Sequence, residues 1–221
     1  MTMYVLLIEN SALPQAESLM FCLENEGYQV CTAHTPETVV ARLKTCWPNL
    51  IVFNPINLDQ TMVAFHQALN EITLNIPYLI LGDAKFPSSL PPATNTYVTA
   101  ANQAELLQTI KAIEVQQRDR FIRLANLVID CHQYQLLRGE TQHSLTPKEF
   151  KLLHLLLKNS DQVLSRKTIM QQVWETDYLG DTRTLDVHIR WLREKIEQNP
   201  SQPRHLLTVR GVGYHFVTEP D

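Results

Sequence analysis

The chain has no long apolar run and no low-complexity tract, and neither sign of charge is in large excess. No apolar stretch approaches the roughly 18 residues of a membrane-spanning helix. The N-terminus also lacks the basic segment and apolar segment of a signal peptide. These absences predict a folded, cytoplasmic protein rather than a membrane-bound, secreted or disordered one.

Cysteine is scarce and has no metal-binding pattern. The four cysteines, Cys22, Cys31, Cys46 and Cys131, form neither a CxxC pair nor a Cys/His cluster with zinc-finger spacing. The sequence therefore predicts no metal, no cofactor and packed, reduced thiols. A redox switch remains an alternative, since thiolate activation needs a basic neighbour that a sequence does not show.

Charge is divided unevenly along the 221 residues. Residues 1–120 hold 6 Lys and Arg against 11 Asp and Glu, and residues 121–221 hold 13 against 12. Between Thr182 and His215 the basic residues outnumber the acidic ones by 6 to 3. This local basic excess is compatible with nucleic-acid binding but does not establish it.

The first half alternates short apolar runs, typical of buried strands, with segments of helical periodicity. The runs are Tyr4–Glu9, Gln29–Ala33, Asn49–Phe53, Tyr78–Leu81 and Thr96–Thr99. The predicted helices are Pro14–Asn25, Pro36–Thr45, Met62–Ile72 and Gln103–Gln117. The alternation predicts a doubly wound, flavodoxin-like parallel α/β sheet with its functional site at the carboxyl ends of the strands.

The second half has a different pattern, which begins after the polar run Gln116–Arg120. Alternating residues in Phe121–Cys131 and Gln135–Arg138 predict a small antiparallel sheet. Three helices follow, namely Pro147–Lys158 with a capping box from Thr146 to Glu149, Arg166–Trp174 capped by Ser165, and Asp181–Glu197. The run Leu206–Val217 then turns at Gly211–Gly213 as a hairpin. Two domains are predicted, residues 1–118 and residues 119–221, the second an α+β winged helix-turn-helix.

The predicted third helix has two distinct faces. Leu185, Ile189, Leu192 and Ile196 form one apolar stripe that predicts a core contact. The opposite face carries Arg183, Val187, Arg190, Trp191 and Glu194. This face suits an anionic partner, although a solvated amphipathic helix is the alternative for such a composition.

Four sequence segments in the second half resemble those of a known protein family. LTPKEFKLL, LSRKTIMQQVW, TRTLDVHIRWLREKIE and LLTVRGVGYHF resemble, in order, the effector domain of OmpR/PhoB-class response regulators over residues 121–219. Residues 4–117 resemble the receiver domain of two-component systems. The resemblance implies a transcriptional regulator that binds double-stranded promoter DNA.

The resemblance also implies particular DNA contacts. Phosphate contacts fall on Trp174, Arg183, His188, Arg190, Thr208 and Tyr214, and a minor-groove contact falls on Arg210. From their chemistry alone, Val187 and the methyl group of Thr184 suit thymine methyl groups. Trp191 stands where many relatives have arginine, so a base contact is lost there or replaced by an apolar one. A core position for Trp174 and a structural hydrogen bond for His188 remain alternatives.

The receiver-like half departs from its family at the phosphorylation site. The family has an acidic pair, an acceptor aspartate, a Thr or Ser and a lysine at the ends of the first, third, fourth and fifth strands, respectively. The corresponding residues here are Glu9 and Asn10, then Asn54, Gly82 and Ala100. The resemblance therefore predicts that aspartyl phosphorylation does not occur, with Asp59 and Asp83 as alternative carboxylates.

These patterns predict a non-enzymatic regulator that acts without phosphorylation. Three prolines and a pair of serines in Asp83–Thr94 argue against the family's fourth receiver helix. A homodimer on direct-repeat sites is expected through the receiver-like half, with apolar contacts of Gln103–Gln117, and RNA polymerase is a further candidate partner. The alternative is an adaptor in which the receiver-like half binds a partner or small ligand and DNA binding is weak.

Overall fold

The computed structural model describes residues 3–10, 18–54, 64, 76–81, 97–100, 102–124, 126–176 and 183–218. The chain folds into two compact units, Met1–Arg120 and Phe121–Asp221. The predicted boundary between residues 118 and 119 lies close to this division. Within the described ranges, no helix has the length and apolar character needed to cross a membrane.

The first unit contains a five-stranded sheet in the order β2-β1-β3-β4-β5. Its strands are β1 (Tyr4–Ile8), β2 (Gln29–Ala33), β3 (Leu50–Phe53), β4 (Tyr78–Leu81) and β5 (Tyr97–Ala100). Neighbouring strands are parallel throughout. This order is the flavodoxin-like one, so the predicted doubly wound sheet is confirmed.

Three helices of the first unit are described, namely α1 (Leu19–Asn25), α2 (Pro36–Cys46) and α3 (Gln103–Gln117). The first begins later than the predicted Pro14, because Ser18 has extended backbone angles and caps the helix by accepting a hydrogen bond from the Met20 amide. Residue 64 apart, the predicted helix over 62–72 lies outside the described residues, as does the proline-rich segment 83–94.

The second unit contains two antiparallel sheets. The first is four-stranded, with β6 (Phe121–Leu124), β7 (Leu127–Asp130), β8 (Gln135–Arg138) and β9 (Thr141–Ser144) in sequential order. The second is three-stranded in the order β10-β12-β11, with β10 (Val163–Ser165), β11 (Leu206–Val209) and β12 (Gly213–Phe216). Sequence periodicity predicted the final hairpin but not the short strand β10 that joins it.

The helices of the second unit are α4 (Pro147–Lys158), α5 (Arg166–Ile169) and α6 (Arg183–Ile196). Helix α5 continues as a π-helix over Met170–Trp174, so the predicted helix from Arg166 to Trp174 is present and its second half is wider than an α-helix. Over five residues, the spacing of apolar side chains does not distinguish a 3.6-residue turn from a wider one.

Local signals in the sequence correctly predicted where these helices begin. The amide of Glu149 donates to Thr146 Oγ1 and the amide of Thr146 donates to Glu149 Oε2, which is the predicted capping box. The amide of Thr168 likewise donates to Ser165 Oγ. Each cap satisfies an amide that has no partner within its helix.

The core of the second unit holds α6 against α4, the π-helix and the final hairpin. All four residues of the predicted apolar stripe, Leu185, Ile189, Leu192 and Ile196, are at most 1% exposed. At Gly213 an added Cβ would lie 1.9 Å from the carbonyl oxygen of Leu164, so only glycine permits β12 to approach β10 there. These contacts leave the opposite face of α6 directed outward.

Candidate nucleic-acid interface

The outward face of α6 combines positive charge with two large apolar side chains. Arg183, Thr184 and Arg190 are all exposed. Val187 is 41% exposed and Trp191 is 43% exposed. The predicted outward face is thus confirmed, and its chemistry is that of a helix that binds phosphates and base edges.

Arg190 reaches into solvent beside an acidic neighbour. Its side chain is 80% exposed, and Nε lies 3.0 Å from Glu194 Oε1 one helical turn along. An exposed pair at this spacing stabilises a helix by only about 0.3–0.5 kcal/mol. The interaction is weak enough for the guanidinium to exchange Glu194 for a DNA phosphate.

Three aromatic rings meet where the end of the π-helix lies beside the middle of α6. The His188 ring lies 5.0 Å from the Trp174 ring and 5.0 Å from the Trp191 ring, measured between centroids. His188 Nδ1 is 2.8 Å from the Thr184 carbonyl oxygen, so this nitrogen carries the proton. The structural hydrogen bond considered for His188 is therefore present, and Trp174 packs against the core as well as against His188.

The wing is the hairpin β11–β12. Arg210 is exposed at its turn, next to Gly211, which has a positive φ of 75°. Thr208 is also exposed, and its hydroxyl accepts a hydrogen bond of 2.8 Å from Arg193 Nη2. Both residues lie in the short hairpin that follows α6, as the sequence predicted for a wing.

Arg193 and Glu197 are one helical turn apart in the sequence, a spacing that allows an ion pair, but they do not pair with each other. Arg193 instead donates through Nε and Nη2 to the Leu206 carbonyl oxygen, at 2.9 and 2.7 Å. Glu197 is 2% exposed and accepts from the amides of Arg204, His205 and Leu206, at 3.0, 3.0 and 2.8 Å. Both side chains thus fasten the end of α6 to β11, because the buried backbone groups of that strand need partners.

Tyr214 is placed differently from the other predicted DNA contacts. The residue is 4% exposed, and its hydroxyl donates to Asp186 Oδ1 at 2.5 Å while accepting from Arg166 Nη1 at 3.2 Å. Arg166 Nη2 also lies 2.5 Å from Asp186 Oδ1. Tyr214 therefore braces the wing against α6, and the expected phosphate contact is not supported at this position.

This network also changes the acidity of Asp186. Burial raises its pKa, but hydrogen bonds from Tyr214 and Arg166, together with the charge of Arg166, outweigh that effect and hold the pKa below the ordinary value. Sequence reasoning missed the role of Asp186. The available signal was a carboxylate in the first turn of α6.

The edge of the receiver-like sheet brings Glu9 and Asn54 together. Strands β1 and β3 are in register with Ile8 opposite Phe53, so the next residues lie side by side. Asn54 Nδ2 is 3.5 Å from Glu9 Oε2. Glu9 is 4% exposed and Asn54 is fully buried, and Asn54 Oδ1 has no hydrogen-bond partner among the described residues.

Glu9 has a structural role that the sequence did not reveal. Its carboxylate accepts from Ser18 Oγ at 2.6 Å and from the Leu19 amide at 3.3 Å, which places a negative charge at the first turn of α1. Ala100 ends β5, Asn10 follows Glu9, and Gly82 lies outside the described residues. No group of three or more His, Cys, Asp or Glu side chains in the described ranges is arranged to hold a metal ion.

The four cysteines are not in disulfides. A hydrogen bond with Cys46, and then burial, raise the pKa of Cys31. A raised pKa leaves little of the reactive thiolate at neutral pH. The alternative of a redox switch gains no support at this position.

A parallel α/β unit followed by a winged helix with a basic outward face defines a DNA-binding transcriptional regulator. Comparison with known proteins agrees with this class. Residues 140–216 match the family model described as "Transcriptional regulatory protein, C terminal".

Relatives extend the match to the whole chain. The chain is 34% identical to a probable transcriptional regulatory protein of Picosynechococcus sp., over 96% of this chain and 92% of that protein. It is 31% identical to the phosphate regulon transcriptional regulatory protein PhoB of Escherichia coli, over 97% of each. It is 30% identical to the alkaline phosphatase synthesis transcriptional regulatory protein SphR of Synechococcus elongatus, over 96% of this chain and 90% of that protein.

The chain therefore belongs to the OmpR/PhoB class of response regulators. Members of this class are DNA-binding transcriptional regulators and not enzymes.

Proposed function

We propose that this protein regulates transcription by binding promoter DNA through α6 and the wing, and that it does so without aspartyl phosphorylation. The observation that carries the second part is Asn54, a fully buried amide at the position where the family has its acceptor aspartate. An amide has no nucleophilic oxygen at neutral pH, so it cannot take a phosphoryl group as a carboxylate does.

The surroundings of Asn54 support the same proposal. Both oxygens of Glu9 already accept hydrogen bonds, from Ser18 Oγ and from the Leu19 amide. Mg²⁺ prefers near-octahedral oxygen ligands, including carboxylates. The neighbours Asn10 and Ala100 supply neither a second carboxylate nor the lysine that the family uses.

The DNA-binding part rests on the outward face of α6 and on the wing. Arg183 and Arg190 are exposed on the helix, and Arg210 is exposed at the wing turn. We assign phosphate or guanine contacts to the first two and a minor-groove contact to Arg210. Thr184, Val187, His188, Trp191 and Thr208 complete the proposed interface, with Trp174 supporting it through His188.

We further propose that the protein binds direct repeats as a homodimer formed by the receiver-like unit. Helix α3 offers an apolar side chain to such a contact, since Val115 on it is 74% exposed. RNA polymerase is the further partner that we propose for a promoter-bound dimer.

A binding assay on fragments of the source genome tests the proposal. The full chain, incubated with and without acetyl phosphate and Mg²⁺, is titrated onto the fragments over a salt series. We expect specific binding that weakens steeply with salt and is unchanged by the phosphodonor, together with an unmodified intact mass. A phosphoryl adduct would contradict phosphorylation independence, and an absence of specific binding would favour the adaptor function.

A further inference from the structure

Trp191 and Val187 form an exposed apolar surface beside the arginines of the outward face of α6. They are spaced one helical turn apart and are 43% and 41% exposed. Arg183 and Arg190 are exposed next to them on the same helix. An apolar pair beside two cations is poorly suited to the core of a protein partner, whereas DNA offers both phosphates and apolar groups.

The indole of Trp191 is held in position before any ligand binds. The His188 ring lies 5.0 Å from it, between centroids, and a contact of 2.8 Å from Nδ1 to the Thr184 carbonyl oxygen restricts that ring. On its other side, His188 meets Trp174, which packs against the core. A side chain held in this way loses little conformational entropy on binding, which favours a selective contact.

In the major groove, only one base carries an apolar group at the groove edge. Thymine displays its C5-methyl group there, whereas cytosine presents an amino group and the purines present N7 with a carbonyl or an amino group. An exposed indole and an isopropyl group offer no hydrogen bonds that would match those polar edges. The methyl group of thymine is therefore the complement of this surface.

We propose that Trp191 and Val187 determine specificity by packing against thymine methyl groups, with His188 as the positioning residue for Trp191. The inference rests on the proposed function, because it requires α6 to lie in the major groove. At position 191, this apolar contact takes the place of the polar base contact that an arginine would make.

The test compares thymine with deoxyuridine, which differs only in lacking the C5-methyl group. The full-length protein first selects its site from a library of random duplexes. The selected site is then synthesised with each thymine replaced in turn by deoxyuridine, and affinity is measured by fluorescence anisotropy at one salt concentration. We expect at least one replacement to weaken binding about four-fold, the value of one buried methyl group.

Variants of the protein then show which side chains are responsible for the loss of affinity on replacement of thymine. Trp191→Ala and Val187→Ala should each lose sensitivity to at least one replacement, and His188→Ala should reduce the sensitivity that belongs to Trp191. Glu194→Gln, a change on the same helix that removes no apolar surface, should retain the wild-type ratio. Circular dichroism checks that the variants fold, and Val187→Ala, a small exposed change, remains informative if Trp191→Ala does not fold.

The outcomes separate this inference from the proposed function. Specific binding that is insensitive to every replacement overturns the inference and leaves the function in place. Sensitivity that persists unchanged in both Trp191→Ala and Val187→Ala also overturns it. Failure of the protein to select any sequence overturns the proposed function, and the inference with it.

Discussion

Arg190 and Arg210 present positive charge at two separate places, the outward face of α6 and the turn of the wing. Replacing either with alanine should leave folding intact, since Arg190 loses only an exposed pair with Glu194. Each replacement should weaken DNA binding by about 1–3 kcal/mol if the arginine reads a base, or lower the salt slope by about one if it contacts a phosphate. Affinity measured over a salt series gives both quantities.

Lys44→Ala provides the matched control for these two changes. Lys44 is an exposed cation in the last turn of α2, and it lies outside both the proposed DNA interface and the proposed dimer contact. Its replacement should change neither affinity nor salt slope. Unchanged binding in both Arg190→Ala and Arg210→Ala would contradict docking through α6 and the wing.

Asn54 illustrates how one atom type decides the chemistry of a site. Asn54→Asp would put a second carboxylate about where Nδ2 now lies 3.5 Å from Glu9 Oε2, in a fully buried position. We expect this variant to be less stable by about 1–3 kcal/mol, because it replaces a hydrogen bond with like-charge repulsion. Urea unfolding of the full chain at neutral pH measures the change.

The same variant tests whether an aspartate at this position is enough to restore the phosphorylation reaction of the family. With Asn10 and Ala100 unchanged, Asn54→Asp should still acquire no stable phosphoryl group from acetyl phosphate and Mg²⁺. Intact-mass spectrometry provides the readout. A stoichiometric adduct would mean that the acceptor aspartate alone was missing.

At the scale of elements, a buried ion pair joins the start of α4 to the end of α6. Lys195 Nζ lies 2.6 Å from Glu149 Oε1, and the Glu149 side chain is 2% exposed. Lys195→Met would leave that carboxylate without its charge partner, so we expect a loss of stability of about 3 kcal/mol. Adding Glu149→Gln should recover part of the loss, because the glutamine oxygen still accepts from the Thr146 amide.

The pair also predicts acid sensitivity. Burial raises the pKa of Glu149, but hydrogen bonds from Lys195 and Thr146 outweigh it and lower the pKa from 4.5. The Glu149 carboxylate is therefore harder to protonate in the folded state than in the unfolded state. Its contribution to the free energy of unfolding is complete above about pH 4.5 and is lost as the pH falls through the lowered pKa. Urea unfolding at several pH values measures this effect. In the Lys195→Met, Glu149→Gln double variant, the free energy of unfolding should fall less with decreasing pH than it does in the wild type.

At the scale of the whole molecule, the two units carry different charge. The first unit has the acidic excess and the second has the local basic excess near α6, which agrees with the proposed DNA contact of the second unit and the proposed dimer contact of the first. We expect sedimentation equilibrium to give a dimer whose dissociation constant is unchanged by acetyl phosphate and Mg²⁺. Val115→Asp on α3 should weaken the dimer and so raise its dissociation constant. A dimer that forms only with the phosphodonor would contradict the proposal.

Local patterns in the sequence determined many of the helices and strands of this protein. The stripe from Leu185 to Ile196 follows the 3.6-residue period, and the capping box of α4 depends on residues three positions apart. The alternation of apolar runs and helical segments likewise predicted the parallel sheet of the first unit. Each of these signals involves residues close together in the chain, so the sequence alone contains them. The resemblance to receiver domains, in turn, placed Asn54 at the altered site.

The partners of buried polar groups were decided only by the tertiary structure. Glu9 meets Asn54, 45 positions away in the chain, and Tyr214 meets Asp186, 28 positions away. Arg193 binds the Leu206 carbonyl oxygen instead of the nearby Glu197, and the π-helix brings Trp174 beside His188. A buried donor or acceptor must find whichever partner the packed core brings within reach, and local spacing carries no information about that partner.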